Sequence, residues 1–546
     1  MQFLPTCFSL LSLTLLTTTI SADHDDIETL PPYPNPLPAP QTLSASLILS
    51  APEFPVTSGG PNYAGFNFDW HCGQADVDKG WECPAEPGWD GYSINIGLDL
   101  KNENLIAAAK QLAPAHLRIG GSQQDFVCYD IPAGNCKAKI DEMGNDADVN
   151  VAHSMAFVLS TDRWDEIVEF CETTGVQLVF GLNGNSRIPY GDYNAPLDWN
   201  ANNTEAFVRY IADNGAETVS AFELGNELCD QVDTKVYADD IRYLRKLVDD
   251  IWPSSASKPL INGPDCNPTS DDWINSFLGN TSDVLNTLTY HNYVGYGLDP
   301  ALAQNMMDTS WSFFDEGPNR ADMFINGWKN IGNPVGMKIW AGEIAAAWHS
   351  GEPGVTDRFI SSFWYADALG LLATLNHTAF QRQALAGGNY ALLALEGMLP
   401  QSDFYVAQLF HNYMGETVLT LDTGDAKNEG LRSYAHCVSD TNTGEATLLL
   451  INVSPTNTFR VDNVGGLFGG GSSGGDGLGV FVMEAGDGEL DQWEGLDSRL
   501  IKLNGELMGE KIAGDLGKPV KVGEEGLSLK PLTITFVVGG AGVEYC

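Results

Sequence analysis

Eight short apolar segments alternate with helical patterns over much of the chain, and this alternation limits the possible folds more than any other feature. The strand candidates are Tyr63–Asp69, Ala115–Gly121, Val176–Asn183, Val219–Glu227, Pro259–Gly263, Thr287–Tyr293, Met337–Glu343 and Thr378–Leu385. Helical patterns separate most of them, at Asn102–Leu112, Thr161–Thr173, Asn203–Asn214, Tyr237–Trp252 and Asp357–Leu375. Eight strands with intervening helices over about 350 residues predict an α/β fold, the (β/α)8 TIM barrel.

The pattern changes after Gly415 to short segments rich in Val, Leu, Ile, Thr and Phe. These strand candidates are Thr417–Leu421, Leu431–Val438, Ala446–Val453, Val480–Glu484, Leu500–Leu503 and Leu532–Val538. Glycine-rich turns separate them, which is typical of an all-β domain. We therefore predict a catalytic barrel at residues 58–414 and an accessory β-sandwich domain at residues 415–546.

The N-terminus predicts secretion. Residues 1–22 are apolar and hydroxylated and end in Ser-Ala before an acidic run, as in a secretory signal peptide. A membrane anchor is the alternative, but the segment is short. A Pro-rich linker follows at residues 23–40. No other run of about 18 apolar residues occurs, so we expect no membrane span. Glycosylation triplets fit a secreted or extracellular protein, or one of a lysosome- or vacuole-like compartment, and they stand at Asn202, Asn280, Asn376 and Asn452.

The net charge of −44, from 28 basic and 72 acidic residues, restricts the possible partners. Such a surface repels nucleic acid, anionic membranes and sulfated glycans. The sequence has no Cys-x-x-Cys pair and no His-Glu-x-x-His motif, so we expect neither a metal nor another cofactor. We also expect a monomer.

Two strand candidates end in a glutamate. Ala221–Leu228 reads A-F-E-L-G-N-E-L, and Met337–Glu343 reads M-K-I-W-A-G-E. The strand ends that carry Glu227 and Glu343 share one face of a closed barrel. Either glutamate alone is as well explained by a solvated loop residue, but two on one barrel face suit glycoside hydrolysis, which needs two carboxylates. The acid should have apolar surroundings that keep it protonated, and the nucleophile needs donors, for which Arg118 is a candidate.

At this point a family resemblance becomes clear. The chain resembles glycoside hydrolase family 79, the heparanase and β-glucuronidase family, from about Tyr63 to the C-terminus. The matching stretches are L-R-I-G-G-S-Q-Q-D-F at Leu117–Phe126, F-G-L-N at Phe180–Asn183, F-E-L-G-N-E at Phe222–Glu227, G-P-D at Gly263–Asp265, T-Y-H-N-Y at Thr289–Tyr293, W-A-G-E at Trp340–Glu343, A-G-G-N-Y at Ala386–Tyr390 and L-N-G at Leu503–Gly505. Each is weak alone, and together they are specific.

The resemblance implies roles for individual residues. Glu227 would be the acid/base, Glu343 the nucleophile, and Asn226 would bind the sugar's 2-hydroxyl. The remaining residues implied to line the −1 subsite are Asp69, Ser122, His291, Tyr293, Gln383 and Tyr390. Tyr390 would help to hold the carboxylate of a uronic acid. The alternative for each of these six is a buried polar group that is satisfied locally.

The resemblance also implies two features outside the barrel. A strand near Ser44–Leu49, within residues 41–57, would join the β-sandwich, and a disulfide would link Cys437 to Cys546. Spacing alone suggests Cys72–Cys83 and Cys128–Cys136 as further local pairs.

The sequence departs from the family pattern in two places. Ala345–Gly351 reads A-A-A-W-H-S-G, with His349 and Ser350 where heparanase-like members carry glycines. His349 is either a positive charge for a uronate or a plain surface histidine. The basic clusters that bind heparan sulfate are missing, since Cys266–Phe277 contains no Lys or Arg.

The expected activity is therefore that of a secreted, retaining β-glucuronidase acting on uncharged or weakly charged glycans that contain glucuronic acid. Arabinogalactan-type side chains are one candidate substrate. The alternatives are a heparanase-like endo-β-glucuronidase and a non-catalytic glycan-binding protein on the same scaffold. The negative charge argues against the first alternative, and the presence of both glutamates argues against the second.

Overall fold

A computed structural model of the chain describes residues 38–51, 62–71, 92–94, 97–132, 136, 157–184, 199–229, 231–253, 258–267, 270–307, 321–330, 337–438, 444–461, 464–467, 478–486, 493–509, 514–522, 526–540, 542–543 and 545–546. The predicted signal peptide and nearly all of the Pro-rich linker lie outside these residues.

The strands, in chain order, are β1 (Thr42–Ala45), β2 (Ile48–Ser50), β3 (Ala64–Asp69), β4 (His116–Gly120), β5 (Val127–Asp130), β6 (Phe157–Ser160), β7 (Gln177–Leu182), β8 (Val219–Leu224), β9 (Leu260–Cys266), β10 (Thr287–Tyr296), β11 (Lys338–Trp348), β12 (His377–Arg382), β13 (Val418–Asp422), β14 (Leu431–Cys437), β15 (Ala446–Asn452), β16 (Thr458–Val461), β17 (Gly479–Ala485), β18 (Ile501–Leu503), β19 (Glu506–Met508), β20 (Val520–Lys521), β21 (Leu527–Leu529) and β22 (Thr533–Gly540). The helices are α1 (Glu103–Leu112), α2 (Thr161–Thr174), α3 (Asn202–Asp213), α4 (Thr234–Ile251), α5 (Asp271–Thr281), α6 (Leu302–Met307), α7 (Ala321–Asn330), α8 (Phe359–Thr374), α9 (Ser402–Tyr413) and α10 (Val464–Leu467).

The predicted barrel is confirmed. Strands β3, β4, β7, β8, β9, β10, β11 and β12 close into a barrel in the order of the chain, and neighbouring strands are parallel. Each of the eight predicted strands corresponds to one of these, because a parallel barrel strand is buried on both faces and is therefore apolar along its length. Strands β10 and β11 run further than expected, to Tyr296 and Trp348, which pair in register at their ends.

Side-chain caps fix where several of the barrel helices begin. Asn102, Ser160, Asp233 and Ser270 each accept a hydrogen bond from a backbone amide in the first turn of the helix that follows. Such caps satisfy amides that have no partner within the helix. The cap at Asp233 explains why α4 begins at Thr234, three residues before the apolar pattern that predicted it.

The C-terminal part forms the predicted all-β region, and the N-terminal strands pair with it. A nine-stranded sheet has the order β19-β18-β17-β22-β15-β14-β13-β2, with β20 beside β17, and a smaller sheet has the order β1-β16-β21. The single strand expected near Ser44–Leu49 is divided into β1 and β2, which pair with β16 and β13. Alternate residues of β15 face two different cores: Leu448 and Leu450 face the small sheet, whereas Leu449 and Ile451 face the barrel.

Helix α8 connects the barrel to this sheet. Fourteen of its sixteen residues are buried, so it has no polar face. A helix that is apolar all round lies between two layers, here the barrel and the nine-stranded sheet. Its one buried carboxylate, Asp367, accepts hydrogen bonds from Tyr434, at 2.6 Å, and Arg432, at 2.7 Å, both on β14.

Three disulfides link described cysteines. The structure joins Cys437 to Cys546 and Cys128 to Cys136. It also joins Cys229 to Cys266, a pair that was not predicted, with Cα atoms 5.9 Å apart. Cys171 is buried and carries a free thiol. The suggested Cys72–Cys83 pair lies outside the described residues.

One predicted glycosylation site is wrong. Asn452 is fully buried, and its side-chain amide donates to the backbone carbonyls of Asn457 and Lys530, each at 2.8 Å. A glycan at this position has no space, and the residue instead holds the end of β15. Asn202 is exposed, and Asn280 and Asn376 are partly exposed, so these three remain predictions. No helix in the described part of the chain has both the length and the apolarity that crossing a membrane requires.

Candidate active site

The backbone after β8 turns sharply to present Glu227. Gly225 and Glu227 have φ values of 76° and 54°, a left-handed conformation that is uncommon for a residue with a side chain. The left-handed φ at Gly225, together with a Cβ atom that would lie 2.3 Å from the side chain of Leu228, favours glycine there. The Glu227 amide donates to the carbonyl of Asp265, at 3.0 Å, on β9. Strain of this kind concentrates at functional sites, and here it leaves the Glu227 side chain 48% exposed at the barrel mouth.

Glu343 lies inside β11 and is much more buried, with 9% of its side chain exposed. Its Oε2 accepts a hydrogen bond from Nη1 of Arg118 at 2.8 Å, and its Oε1 accepts one from the hydroxyl of Tyr293. Both oxygens of this carboxylate therefore have a donor, as the sequence analysis required of a nucleophile. A carboxylate oxygen of Glu227, a ring nitrogen of His291 and a carboxylate oxygen of Glu343 all lie within 4.8 Å of one another.

Arg118 is the centre of the buried polar network. The guanidinium is fully buried, and its partners are Glu223 at 2.8 Å, Glu343 at 2.8 Å, Asp265 at 2.7 Å and Asn226 at 3.1 Å. A buried charge needs such partners to offset the loss of water. Burial would raise the pKa of Asp265, but Arg118 and His291 lower it to about 2. Burial and the charge of Asp265 raise the pKa of Glu223 to about 8.

His291 lies between two carboxylates. Its Nδ1 is 2.9 Å from Oε1 of Glu227, and its Nε2 is 2.9 Å from Oδ1 of Asp265. Burial disfavours a charged ring, but the charges of Glu343 and Asp265 raise the pKa of His291 well above its usual value. The position of both ring nitrogens against carboxylate oxygens favours the imidazolium form of His291. The half of the Glu227 side chain that is buried acts to raise its pKa, but the hydrogen bond and charge of His291 lower it. The expectation of apolar surroundings for the acid is wrong.

This contact predicts a shift in the pH dependence. The alkaline limb of kcat/KM reports the loss of the catalytic proton from the free enzyme. Because the imidazolium favours ionised Glu227, His291→Asn should raise the pKa of Glu227 and move this limb to higher pH, by about one unit or more. The measurement is a kcat/KM profile of both enzymes over pH 4 to 9, a range set about the usual pKa values of Glu and His.

His349→Asn is the matched control for this experiment. The ring of His349 lies against Tyr296, with centroids 5.6 Å apart, at the edge of the same face. Its replacement should leave the limb in place. An alkaline limb that follows His349 and ignores His291 would contradict the assignment of Glu227 as the titrating acid.

The remaining predicted residues lie around this centre. Gln383 donates a hydrogen bond to Asp69, and burial together with the charge of Glu343 raises the pKa of Asp69 to about 7. Tyr390 is buried, with its ring centroid 6.5 Å from that of Tyr293. Ser122 is exposed at the start of a 3-10 helix, one residue beyond Gly121, whose backbone closely approaches Asp69.

Hydrogen bonds thus join Glu227, Glu343 and six of the other residues named from the sequence into two groups. One contains the two glutamates with Arg118, Asn226, His291 and Tyr293, and the other is the pair Asp69 and Gln383. Sequence reasoning missed the roles of Glu223 and Asp265, although both lie within the stretches that carried the resemblance.

Among the described residues, one group of side chains has the spacing of a metal site, namely Glu227, His291 and Glu343. Its atoms already have partners, because both oxygens of Glu343 accept hydrogen bonds and both ring nitrogens of His291 face carboxylates. A protonated imidazole has no lone pair to offer a metal. The group is therefore suited to acid–base and nucleophilic chemistry.

Comparison with known proteins agrees with this geometry. Residues 61–370 match the family described as glycosyl hydrolase family 79, N-terminal domain. The chain is 31% identical over 478 residues to heparanase-like protein 3 of Arabidopsis thaliana, covering 82% of this chain and 85% of that protein. It is also 31% identical over 489 residues to baicalin-beta-D-glucuronidase of Scutellaria baicalensis, covering 84% and 85%.

A solved structure supports the fold. The 4-O-alpha-L-rhamnosyl-beta-D-glucuronidase of Fusarium oxysporum superposes with a TM-score of 0.54 at 14% identity, covering 91% of this chain and all of that one. At this identity the likeness speaks for the architecture alone. The family match and the two relatives confirm the resemblance inferred from the motifs: the chain belongs to glycoside hydrolase family 79 and is a glycoside hydrolase.

Proposed function

We propose that the protein is a retaining β-glucuronidase that removes glucuronic acid from uncharged or weakly charged glycans or glycoconjugates. The observation that carries this proposal is the spacing of the catalytic group, in which atoms of Glu227 and Glu343 lie within 4.8 Å of each other. Retaining glycosidases have carboxyl groups about 5–5.5 Å apart, whereas inverting enzymes separate them by about 6.5–9.5 Å to admit a water molecule. The spacing favours retention.

In the first step, Glu343 attacks the anomeric carbon while Glu227 gives its proton to the glycosidic oxygen. The bond to the leaving group breaks, and an ester forms between the sugar and Glu343. In the second step, Glu227 takes a proton from water, the water oxygen attacks the anomeric carbon, and Glu343 leaves as a carboxylate. Each step inverts the anomeric carbon, so the product keeps the β configuration.

The surrounding charges suit these two roles. Arg118 and Tyr293 hold the nucleophile in one orientation through its two oxygens. Formation of the ester removes the negative charge of Glu343, which makes ionisation of nearby Glu227 easier. His291 favours ionised Glu227 further, so the enzyme is well prepared for the base step. The acid step is then favoured at acidic pH.

A named relative and the surroundings of Tyr390 support the assignment of a glucuronide as the substrate. One relative is named as a beta-D-glucuronidase. Tyr390 is buried beside Gly351, where an added Cβ would lie 3.1 Å from the ring. The backbone at Gly351 thus lies against the Tyr390 ring, and a desolvated carboxylate needs several donors, of which a tyrosine hydroxyl is one kind. The three disulfides suit an oxidising, extracellular or lysosome- or vacuole-like compartment.

A panel of aryl β-glycosides tests the proposal. We expect kcat/KM for the β-glucuronide to exceed that for the β-glucoside and β-galactoside by about 100-fold or more, the value of one or two charge-assisted hydrogen bonds. Tyr390→Phe should reduce glucuronide hydrolysis about tenfold and leave any residual glucosidase activity nearly unchanged. Equal rates on glucuronide and glucoside would contradict the substrate assignment.

The second candidate is a heparanase-like endo-β-glucuronidase. It is favoured by the relative named heparanase-like protein 3. The net charge of −44 argues against this candidate, because the protein surface would repel a sulfated polyanion that approaches within about one Debye length. Heparan sulfate should therefore be cleaved poorly, even at low salt. Efficient cleavage of heparan sulfate, together with inactivity on aryl β-glucuronides, would overturn the first candidate in favour of the second.

A further inference from the structure

A disulfide joins the two backbone segments that hold the acid/base. Cys229 lies two residues beyond Glu227, and Cys266 lies one residue beyond Asp265. The two cysteines are bonded, with Cα atoms 5.9 Å apart, and both are buried. Beside this bond, the amide of Glu227 donates to the carbonyl of Asp265 at 3.0 Å. The covalent link and the hydrogen bond therefore tie the same two segments together.

Glu227 lies beyond the paired part of its strand. The register of β8 with β9 ends where Glu223 faces Asn262, so the pairing stops before the chain reaches Glu227. Glu227 and Asp265 then both have left-handed φ values, of 54° and 56°. Residues with side chains hold this conformation only where the surrounding structure fixes it. The contacts that fix this turn therefore lie outside the ladder of β8 and β9.

The disulfide anchors a loop to the barrel sheet. Cys266 is the last residue of β9 and pairs with Tyr290 of β10, so a neighbouring strand holds it in place. Cys229 lies outside the regular elements, between β8 and α4. The bond therefore fixes the loop that carries Glu227 to a barrel strand, at a point two residues beyond that glutamate.

Asp265 extends the effect to the carboxyl group of Glu227. The Oδ1 atom of Asp265 is 2.9 Å from Nε2 of His291, and Nδ1 of the same ring is 2.9 Å from Oε1 of Glu227. A loop that moved away from β9 would lengthen the contact between Glu227 and His291 as well as the backbone hydrogen bond. The position of the proton donor therefore depends on how firmly the loop is held.

We propose that the Cys229–Cys266 disulfide is a positioning element for acid/base catalysis, which keeps the Glu227 carboxyl group where it can reach the glycosidic oxygen. This proposal rests on the proposed two-step mechanism. Displacement of a catalytic group by about 1 Å can reduce the rate about 10²-fold. The nucleophile is held by donors on other strands, Arg118 of β4 and Tyr293 of β10. The loss should therefore fall on substrates that need protonation.

Cys229→Ser combined with Cys266→Ser tests the proposal on two glycosides of the sugar that the wild-type enzyme hydrolyses. We expect kcat/KM for an alkyl glycoside to fall about tenfold or more, because its leaving group needs the proton of Glu227. The dinitrophenyl glycoside, whose leaving group needs no proton, should keep its kcat/KM within about twofold. In a two-step mechanism kcat/KM covers the steps up to formation of the ester, so the ratio of the two losses reports the acid step.

The pH profile of the same variant gives a second readout. A weaker contact with His291 removes part of the effect that lowers the pKa of Glu227. The alkaline limb of kcat/KM should therefore move to higher pH, in the same direction as in His291→Asn. The other charged groups near Glu227 are Arg118, Asp265 and Glu343, which lie on barrel strands rather than on the loop.

Cys437→Ser combined with Cys546→Ser is the matched control. This disulfide lies in the β-sandwich domain and spans 109 residues, against 37 for Cys229–Cys266. In the chain-entropy model the longer loop contributes more stability, so the control should lower the melting temperature at least as much. The ratio between the two glycosides and the alkaline limb should nevertheless stay in place.

Several results would overturn the positioning role. One is a loss on the dinitrophenyl glycoside that equals or exceeds the loss on the alkyl glycoside, and another is no loss on either. Peptide mapping of the wild-type protein under non-reducing conditions provides a third, namely free thiols at Cys229 and Cys266. If the serine pair is unstable, Cys229→Ala combined with Cys266→Val fills the site with apolar atoms and repeats the test.

Failure of the proposed function would appear in different measurements. A wrong sugar would appear in the aryl glycoside panel, and the ratio between leaving groups can still be measured on whichever glycoside is hydrolysed. An inverting mechanism would appear in the anomeric configuration of the first product of the wild-type enzyme, measured by proton NMR.

Discussion

Glu343→Gln should reduce turnover by about 10⁴-fold or more, because no other described group is placed to form the bond to the anomeric carbon. Glutamine keeps the shape of the side chain and can still accept from Arg118, so the loss reports the missing nucleophile rather than a missing contact. The measurement is kcat on the best glycoside from the panel, with thermal unfolding to check the fold. Residual activity above about 1% would contradict the role of Glu343.

Glu223→Gln provides the comparison for this variant. Glu223 also bonds Arg118, at 2.8 Å, but it is fully buried within β8 and its pKa is raised to about 8. The raised pKa favours the protonated form near neutral pH, and a neutral amide resembles that form. We expect this variant to stay within about tenfold of the wild type, since the carboxylate is fully buried. A loss as large as that of Glu343→Gln would mean that the charge balance around Arg118 controls activity.

Glu227→Ala should show a loss that depends on the leaving group. Substrates with poor leaving groups need protonation of the glycosidic oxygen, whereas activated aryl glycosides do not. We expect losses of about 10²–10⁴-fold for an alkyl glycoside, and a much smaller effect on the first step with a dinitrophenyl glycoside, for which the ester should accumulate. Equal losses for both substrates would contradict the acid/base role.

Azide separates the mechanisms in the same variant. A small anion can occupy the space left by the carboxylate and attack the ester on Glu343 without base catalysis. Retention requires the product to be a β-glycosyl azide, because the second displacement inverts the anomeric carbon again. Proton NMR of the product distinguishes the anomers. An α-glycosyl azide would indicate inversion and would overturn the two-step mechanism.

The barrel was predictable from sequence because each of its strands is a short apolar run bounded by polar or glycine residues. The extensions of β10 and β11 were not predictable from the sequence. In β11, the residues A-A-A-W at Ala345–Trp348 continue past Glu343 without a turn signal that would show where the strand ends. The aromatic pair at Tyr296 and Trp348 was missed for the same reason. It depends on the register of two strands whose residues are 52 positions apart in sequence, from 296 to 348.

The positions of Glu227 and Glu343 at strand ends were predictable from the sequence, but their surroundings were not. His291 was expected in the pocket, whereas its position between Glu227 and Asp265 depends on three strands meeting at the barrel mouth. This position reversed the expected direction of the pKa shift at Glu227. Asn452 shows another limit of prediction from sequence. A three-residue glycosylation motif contains no information about burial, and Asn452 is fully buried.

The pairing of β2 with β13 has a consequence for the way the chain is made. Ser50 lies opposite Thr420, so the two parts of the sandwich are separated by the whole barrel. On a ribosome, the first strands must wait for partners that are synthesised much later, and contacts between such distant residues form slowly. Folding of the barrel brings β2 and β13 close together, so the two strands find each other more quickly. For protein engineering, the barrel is therefore an insertion between two segments of the β-sandwich domain. A fragment that contains the barrel alone would leave one apolar face of α8 exposed to solvent.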